Sequence, residues 1–298
     1  MPADAPERLD HYLVRLGWAR SRRAAREMLA SGIVRVNGRI LRKGEMVGGG
    51  DTVEIGEVSA LPALALDTQI KIEVLFRDSV MAVVNKPAPM VCHPLRPGEL
   101  GTVMNGVVAQ FPQAAAAGDD PREGGLVHRL DNGTSGALIV ALQFDAFSAL
   151  REAIRAGRIR RDYQALVAGN LKESLQIEKS IAHDPRNARR MVVASSSRAR
   201  PAATEIEPIR RLGSFTLVAA RPRTGMRHQI RVHLAEAGHP IAGDTLYGGP
   251  PLDALVKDRF CLHLGEIEFR SPVSGPARVR SPFPRDLEAA LREAARGG

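Results

Sequence analysis

The sequence predicts an α+β protein: a mixed, largely antiparallel sheet with flanking helices, preceded by a small α/β unit. Three observations carry this. The first sixty residues read as a compact helix–helix–sheet module, short β-type segments outnumber helical ones beyond residue 70, and no regular strand–helix alternation suggests a doubly wound fold. With 298 residues, 44% apolar and 25% charged, the chain can bury a sizeable core as one large or two unequal domains, which excludes global disorder. Its two cysteines, Cys92 and Cys261, form no C-x-x-C pair, so neither a disulfide framework nor a zinc cluster is expected. The opening MPADAPERLD has no apolar stretch and no run approaches eighteen apolar residues. The expectation is a cytoplasmic protein without a membrane partner.

The elements follow in order. Leu9, Leu13 and Leu16 recur at helical spacing up to Gly17, and Ser21 can cap a second helix carrying Ala25, Met28 and Leu29 before Gly32. IVRVNGRI is an alternating strand with an Asn37-Gly38 turn, and DTVEI is a further strand. This unit is placed at 7–58, a linker at 59–69, and a second domain at 70–298. The second domain opens with strands KIEVLFRD and VMAVVNKP, a helix over 102–111 and a loop over 113–125. Strands LVHRLD, GALIVAL, DYQALVAG, FTLVAA and EIEF come next, with helices at 145–156, 227–237 and 286–295.

Charge is concentrated rather than spread. Of a formal net charge of +9, the segment 8–43 holds +8 and the segment 186–231 holds +9, so the remaining residues sum to −8. Two basic segments on an otherwise acidic chain suit a polyanion, because clustered cations displace counterions from phosphates. A solvated arginine-rich surface is the plainer alternative. Signatures for metals and nucleotides are missing: His228, His233 and His239 are spaced by five and six, unlike a helical zinc pair, and GGG at 48–50 lacks the residues of a phosphate loop. No metal and no cofactor is expected.

The stretch LVHRLDNGTSGALIVAL, 126–142, places a polar turn between apolar strands, so Asp131 and Asn132 should project from a sheet edge or crevice. By spacing alone an ordinary Asn-Gly hairpin is the better explanation. Two resemblances alter the balance. RLD..L...G...SR..A......G.V.VNG followed by GD.V.I resembles the small RNA-binding domain first known from ribosomal small-subunit protein four, and implies RNA contacts for Arg20, Arg22, Arg23 and Arg26. HRLDNGTSGALIVA resembles the hallmark H-R-L-D-x-x-T-S-G-L-L motif of pseudouridine synthases of the RluA type. VVNKPAPMVCHP, RRDYQALVAG and RTGMRHQIRVHLAEAGHPIAGDTLYGG resemble that family's other segments, in the family's order, over 70 to about 272. Pro89, Asn132 and Met226 depart from the pattern, standing where glycine, a basic residue and arginine are usual.

The resemblance implies an isomerase that detaches uracil from its ribose and rejoins it through carbon 5. The reaction consumes no water and involves no net redox change, so it requires no cofactor. A carboxylate suits it, either attacking the anomeric carbon or taking the proton of the adjacent ribose carbon. That role is implied for Asp131, with Arg231 as the partner that fixes it and maintains its charge. Tyr163 is implied as stacking platform and base for the last proton, and Arg129 as the group replacing a flipped uridine. Leu262, His128 and Thr134 are implied as further substrate contacts. The expected partner is structured RNA, with 23S ribosomal RNA as the leading candidate, acted on by a monomer. Transfer RNA as substrate, and a non-catalytic RNA-binding or ribosome-assembly protein on the same scaffold, are the alternatives.

Overall fold

A computed structural model describes residues 6–19, 21–30, 32–41, 44–56, 64–96 and 98–296. In the N-terminal unit β1 (Glu7–Arg8) leads into α1 (Leu9–Arg15), followed by α2 (Arg22–Ala30), β2 (Val34–Val36), β3 (Arg39–Ile40), β4 (Met46–Val47) and β5 (Val53–Ile55). Ser21 Oγ caps α2 by accepting the Ala24 N–H at 3.2 Å. Asn37 (φ 51°) and Gly38 (φ 76°) are both left-handed, as a two-residue turn between right-twisted strands requires, and join β2 to β3. β2 also pairs with β5, and β1 with β4, all antiparallel. Leu9, Tyr12, Leu13, Ala25, Leu29, Val34, Val36 and Val47 are buried together as a separate small core. Leu16, expected on the apolar face of α1, lies just past its end and is exposed. Of the arginines expected on RNA, Arg22 and Arg26 are exposed on α2. Arg20 and the side chain of Arg23 lie outside the described residues.

The second unit is built on one nine-stranded sheet. Its strands are β6 (Glu73–Arg77), β7 (Met81–Lys86), β8 (Ser135–Ala141), β9 (Arg160–Ala168), β10 (Leu175–Glu178), β13 (Ala203–Leu212), β14 (Phe215–Pro222), β15 (Leu262–Ser271) and β16 (Gly275–Arg280). The path runs β10-β13-β14-β9-β15-β8-β7-β6, with β16 added on β15. Every ladder is antiparallel except β15 with β8, which is parallel where His263 and Leu264 face Ser135 and Gly136. A separate hairpin joins β11 (Ile181–His183) to β12 (Met191–Val193). All seven residues of β8 are buried, so its uninterrupted apolar run reflects cover on both faces. The helices are α3 (Val103–Gln110), α4 (Phe144–Arg155), α5 (Gln229–Glu236) and α6 (Arg285–Arg296). α3 starts at a reciprocal cap in which Thr102 Oγ1 accepts the Asn105 N–H and Asn105 Oδ1 accepts the Thr102 N–H.

Three expectations are corrected: the strand LVHRLD, the start of the helix at 227 and the strands after 170. The linker placed at 59–69 lies partly outside the described residues, but Leu64 is buried in the large core and the Ala65 carbonyl accepts from Asn105 Nδ2 at 2.8 Å. Packing of the second unit thus begins before residue 70. LVHRLD is not a strand beyond an isolated bridge of Leu126 to Val140 and the Val127 N–H bond to the Ile139 carbonyl. At the next position the His128 imidazole takes the place of backbone, its Nε2 accepting the Ile139 N–H at 3.1 Å, and the chain turns off to Cys92. The helix expected from 227 starts at Gln229 because His228 is left-handed, φ 54°. β10 to β13 and β16 were not expected; β13 contains Pro208, accommodated where its register with β14 shifts.

Two predictions follow from how β8 is held. His128 and His263 are buried, and burial pushes their pKa values down to about 3 and about 4, with the charges of Arg161 and Arg151 adding to the effect on His128. An unfolded histidine titrates near 6.5. Between that value and the depressed ones the unfolded chain binds protons that the folded chain refuses. Their stabilisation is therefore complete above pH 6.5 and is lost as the pH falls, by up to about 1.4 kcal/mol per pH unit for each histidine. Urea midpoints between pH 7 and 5 should show this slope, and His128→Gln, which keeps an acceptor for Ile139, should make it shallower; an unchanged slope would place the titration elsewhere.

Gly136 has φ 124°, and a Cβ on it would lie 2.3 Å from the Leu264 carbonyl oxygen across the parallel pairing. Gly136→Ala should cost about 2–4 kcal/mol in urea unfolding, since both the backbone conformation and the β8–β15 contact forbid a side chain. An unchanged midpoint would show that the two strands can part without penalty.

Candidate active site

The start of β8, the start of β15 and the N-terminus of α5 converge on a cleft of about 750 Å³. β15 runs between β8 and β9, pairing Leu262 with Ala165 and Leu264 with Tyr163, which brings Tyr163 and Leu262 into the wall of that cleft. The turn before β8 supplies Asp131. Its Oδ2 accepts from Arg231 Nη1 at 2.9 Å, and the same guanidinium is gripped from behind by Asp244, Nε to Oδ2 at 2.7 Å and Nη2 to Oδ1 at 2.8 Å. Arg231 is buried between the rings of Phe260 and Tyr247, 4.4 and 5.0 Å from their centroids. Burial opposes its charge, but the bonds to Asp244 and the two carboxylate charges outweigh burial and raise its pKa. Arg231 is thus a fixed cation with Nη1 aimed at Asp131.

His228 lies on the other side of the carboxylate, its Nε2 3.9 Å from Asp131 Oδ1. Tyr247 Oη accepts the Met191 N–H and bonds His228 Nδ1, each at 2.9 Å. With the Met191 N–H on its oxygen, the Tyr247 hydroxyl can donate to Nδ1, the tautomer that carries the ring proton on Nε2. Burial first, helped by Arg231 and Arg227, pushes the His228 pKa down to about 4 against the pull of Asp131, so the ring is neutral at pH 7.

Two buried cations hold the turn that carries Asp131. Lys86 Nζ donates to the carbonyls of Pro87 at 2.8 Å, Asn132 at 3.1 Å and Thr134 at 2.7 Å; burial lowers its pKa to about 8. Arg259 donates to the carbonyls of Gly133 at 2.5 Å and Phe260 at 2.9 Å and to Ser135 Oγ at 2.9 Å, with Nε on Asp286 of α6 at 2.6 Å. Neither cation was expected at the site. The NKP segment containing Lys86 was visible in the sequence, but nothing in it shows that its partners are carbonyls.

Of the expected site residues, Asp131, Tyr163, Arg231, Leu262, Arg129, His128 and Thr134 all line the cleft. Their surroundings differ. Tyr163 is buried, and burial pushes its pKa up to about 12, so its hydroxyl keeps its proton at neutral pH. Arg129 is exposed at the rim, 3.7 Å from Glu123. His128 is occupied by the Ile139 N–H, and Thr134 is buried with no partner for its hydroxyl among the described residues. At the departures from the family pattern, the Asn132 carbonyl accepts from Lys86 and from the Met90 N–H, and Met226 packs beside Ile181, Met191, Val232 and Tyr247.

The chain is similar to known proteins over most of its length. Residues 80–236 match the RNA pseudouridylate synthase family and residues 7–53 match the S4 domain. The chain is 36% identical to ribosomal large subunit pseudouridine synthase D of Xylella fastidiosa, covering 97% of this chain and 90% of that one. It is 32% identical to the protein of the same name from Escherichia coli, covering 94% and 88%. Among solved structures, human RNA pseudouridylate synthase domain containing 1 is similar with a TM-score of 0.58 and 25% identity, over 74% of this chain and 87% of that one. A sheet that joins the HRLD turn to the helix of Arg231, and the extent of these matches, make this chain a member of the RNA pseudouridylate synthase family, isomerases acting on RNA, with an S4 domain at its N-terminus.

Proposed function

We propose that this protein converts specific uridines of large-subunit ribosomal RNA to pseudouridine, as a monomer in the cytoplasm, with Asp131 as the reacting carboxylate. The observation that carries this reading is the line Asp244–Arg231–Asp131 ending in a cleft walled by Tyr163 and Leu262. Because Arg231 occupies Oδ2, Oδ1 is the oxygen left to approach the anomeric carbon or the proton beside it. The bond from ribose to N1 breaks, the uracil turns between Tyr163 and Leu262, a bond forms to carbon 5, and the proton of carbon 5 is lost as N1 gains one. Tyr163 supplies a face for the detached base, a stacking contact worth about 1–3 kcal/mol. Its high pKa makes the neutral phenol the working form, so the hydroxyl can take the carbon 5 proton only by passing on its own. The relatives named for the large ribosomal subunit, and the RNA-binding unit at 7–53 with Arg22 and Arg26 exposed on α2, support ribosomal RNA as the substrate. A binding-only role would not require a buried guanidinium aimed at a carboxylate in a cleft.

Asp131→Asn should abolish tritium release from carbon 5 of uridine while leaving RNA affinity within a few-fold. Arg231 keeps both bonds to Asp244 in that variant, so the site should stay assembled. Full turnover by the variant would remove Asp131 from the chemistry. Comparing pseudouridine maps of 23S and transfer RNA from cells with and without the gene then identifies the substrate.

Arg129 sits exposed at the mouth of the cleft, its ion-pair partner among the described residues being Glu123 at 3.7 Å, in a position to enter the gap left by an extruded uridine. Extrusion costs a few kcal/mol in a stacked stem and least in an open loop. Arg129→Ala should therefore slow turnover by about tenfold on a uridine in a stable stem and much less on one in a loop. Equal losses on both RNAs would make Arg129 a phosphate or structural contact instead.

A further inference from the structure

Three arginines are buried among the described residues: Arg231, Arg259 and Arg161. The first two are matched by carboxylates, Arg231 by Asp244 and Asp131 and Arg259 by Asp286. Arg161 is not. Its Nη2 donates to two carbonyls, Thr224 at 3.0 Å and Pro222 at 3.4 Å, its Nε is buried without a partner, and no carboxylate of the described residues comes within ion-pair distance. A buried guanidinium without a counter-charge is costly to keep unless something that binds supplies the anion.

Position shows where that anion would lie. Arg161 precedes Tyr163 by two residues on β9, so both side chains share the buried face of the strand, and both line the cleft. Arg151 of α4 also lines the cleft; it donates Nη1 to the Val127 carbonyl at 3.3 Å and has no carboxylate partner among the described residues. His128, which lines the same cleft, feels both guanidiniums and cannot offset them: the ring is neutral, and their charges are among the causes that keep it so. The acid on this wall, Glu123, lies 3.7 Å from Arg129 and 3.5 Å from His93.

We propose that Arg161, with Arg151, forms a phosphodiester subsite inside the cleft, taking the backbone phosphate next to the uridine whose base stacks on Tyr163. It lies outside both basic segments of the sequence, so it adds a contact at the reacting nucleotide rather than along the distant RNA. The inference rests on reading the cleft as the site that receives RNA. A phosphate between two arginines gives charge-assisted, bidentate bonds and fixes the ribose relative to Asp131.

The test uses the full chain, a labelled RNA stem-loop with one loop uridine, and the same RNA with uncharged methylphosphonate linkages on both sides of that uridine. Arg161→Met should weaken binding to the natural RNA by about tenfold and lower the magnitude of the log–log salt slope by about 0.7–0.9, one phosphate's worth. On the methylphosphonate RNA the variant and the wild type should bind alike. Free Arg161→Met should melt no lower than the wild type, because it removes an uncompensated charge; a purely structural arginine would lower the melting point. Arg161→Lys should keep the salt slope and lose affinity only on the natural RNA, and it decides the matter should Arg161→Met not fold.

Equal affinity of wild type and variants for the natural RNA, or equal losses on both RNAs, overturns the subsite. A fall in kcat with unchanged affinity also overturns it, by assigning the guanidinium to the departing uracil. Tritium release by the wild type is read on the same natural RNA. Arg161-dependent binding without turnover would sink the isomerase reading and leave the subsite standing, whereas turnover without Arg161-dependent binding does the reverse.

Discussion

The rest of this molecule is arranged around a guanidinium shared by two carboxylates. Arg231 could not be buried alone, and a single aspartate would leave its other edge unsatisfied. Asp244 takes that edge with two short parallel bonds, and the guanidinium lies over the rings of Phe260 and Tyr247, leaving Nη1 for Asp131. Asp244 therefore orients the arginine and the arginine orients Asp131. The Asp131 carboxylate remains partly exposed to the cleft, its side chain 24% accessible, while the arginine and the second aspartate that aim it are buried. This suits a carboxylate that has to meet a large substrate without searching for its own geometry.

A fixed partner is useful only if the backbone beneath Asp131 is equally fixed. Lys86 and Arg259 accomplish this together, converting the carbonyls of a tight turn into ligands of two buried cations. The family's departure at Asn132 is tolerated for the same reason: what is held at that position is the carbonyl, which every residue provides.

How much of this could be read beforehand depended on whether side chains or backbone carried the interaction. Asp131, Arg231 and Tyr163 belong to strings whose resemblance to a family is plain, and the structure brings them to one cleft. Asp244 and Tyr247 sit in GDTLYGG, a string equally visible, but a carboxylate that grips an arginine thirteen residues earlier leaves no mark in spacing. Lys86 and Arg259 act on carbonyls, which no residue pattern records. Periodicity located the well-buried strands β7, β8, β9 and β14. It missed β13, where Pro208 and several exposed arginine and glutamate positions blur the alternation, and it extended a strand through His128, where an imidazole stands in for a peptide.

The bond from Arg259 to Asp286 ties the turn of Asp131 to a helix that follows it by about half the chain. During synthesis the amino-terminal parts emerge first. The RNA-binding unit, with its own small core, is complete long before α6 exists, so a growing chain has the unit that meets RNA before it has the helix that braces the turn of Asp131.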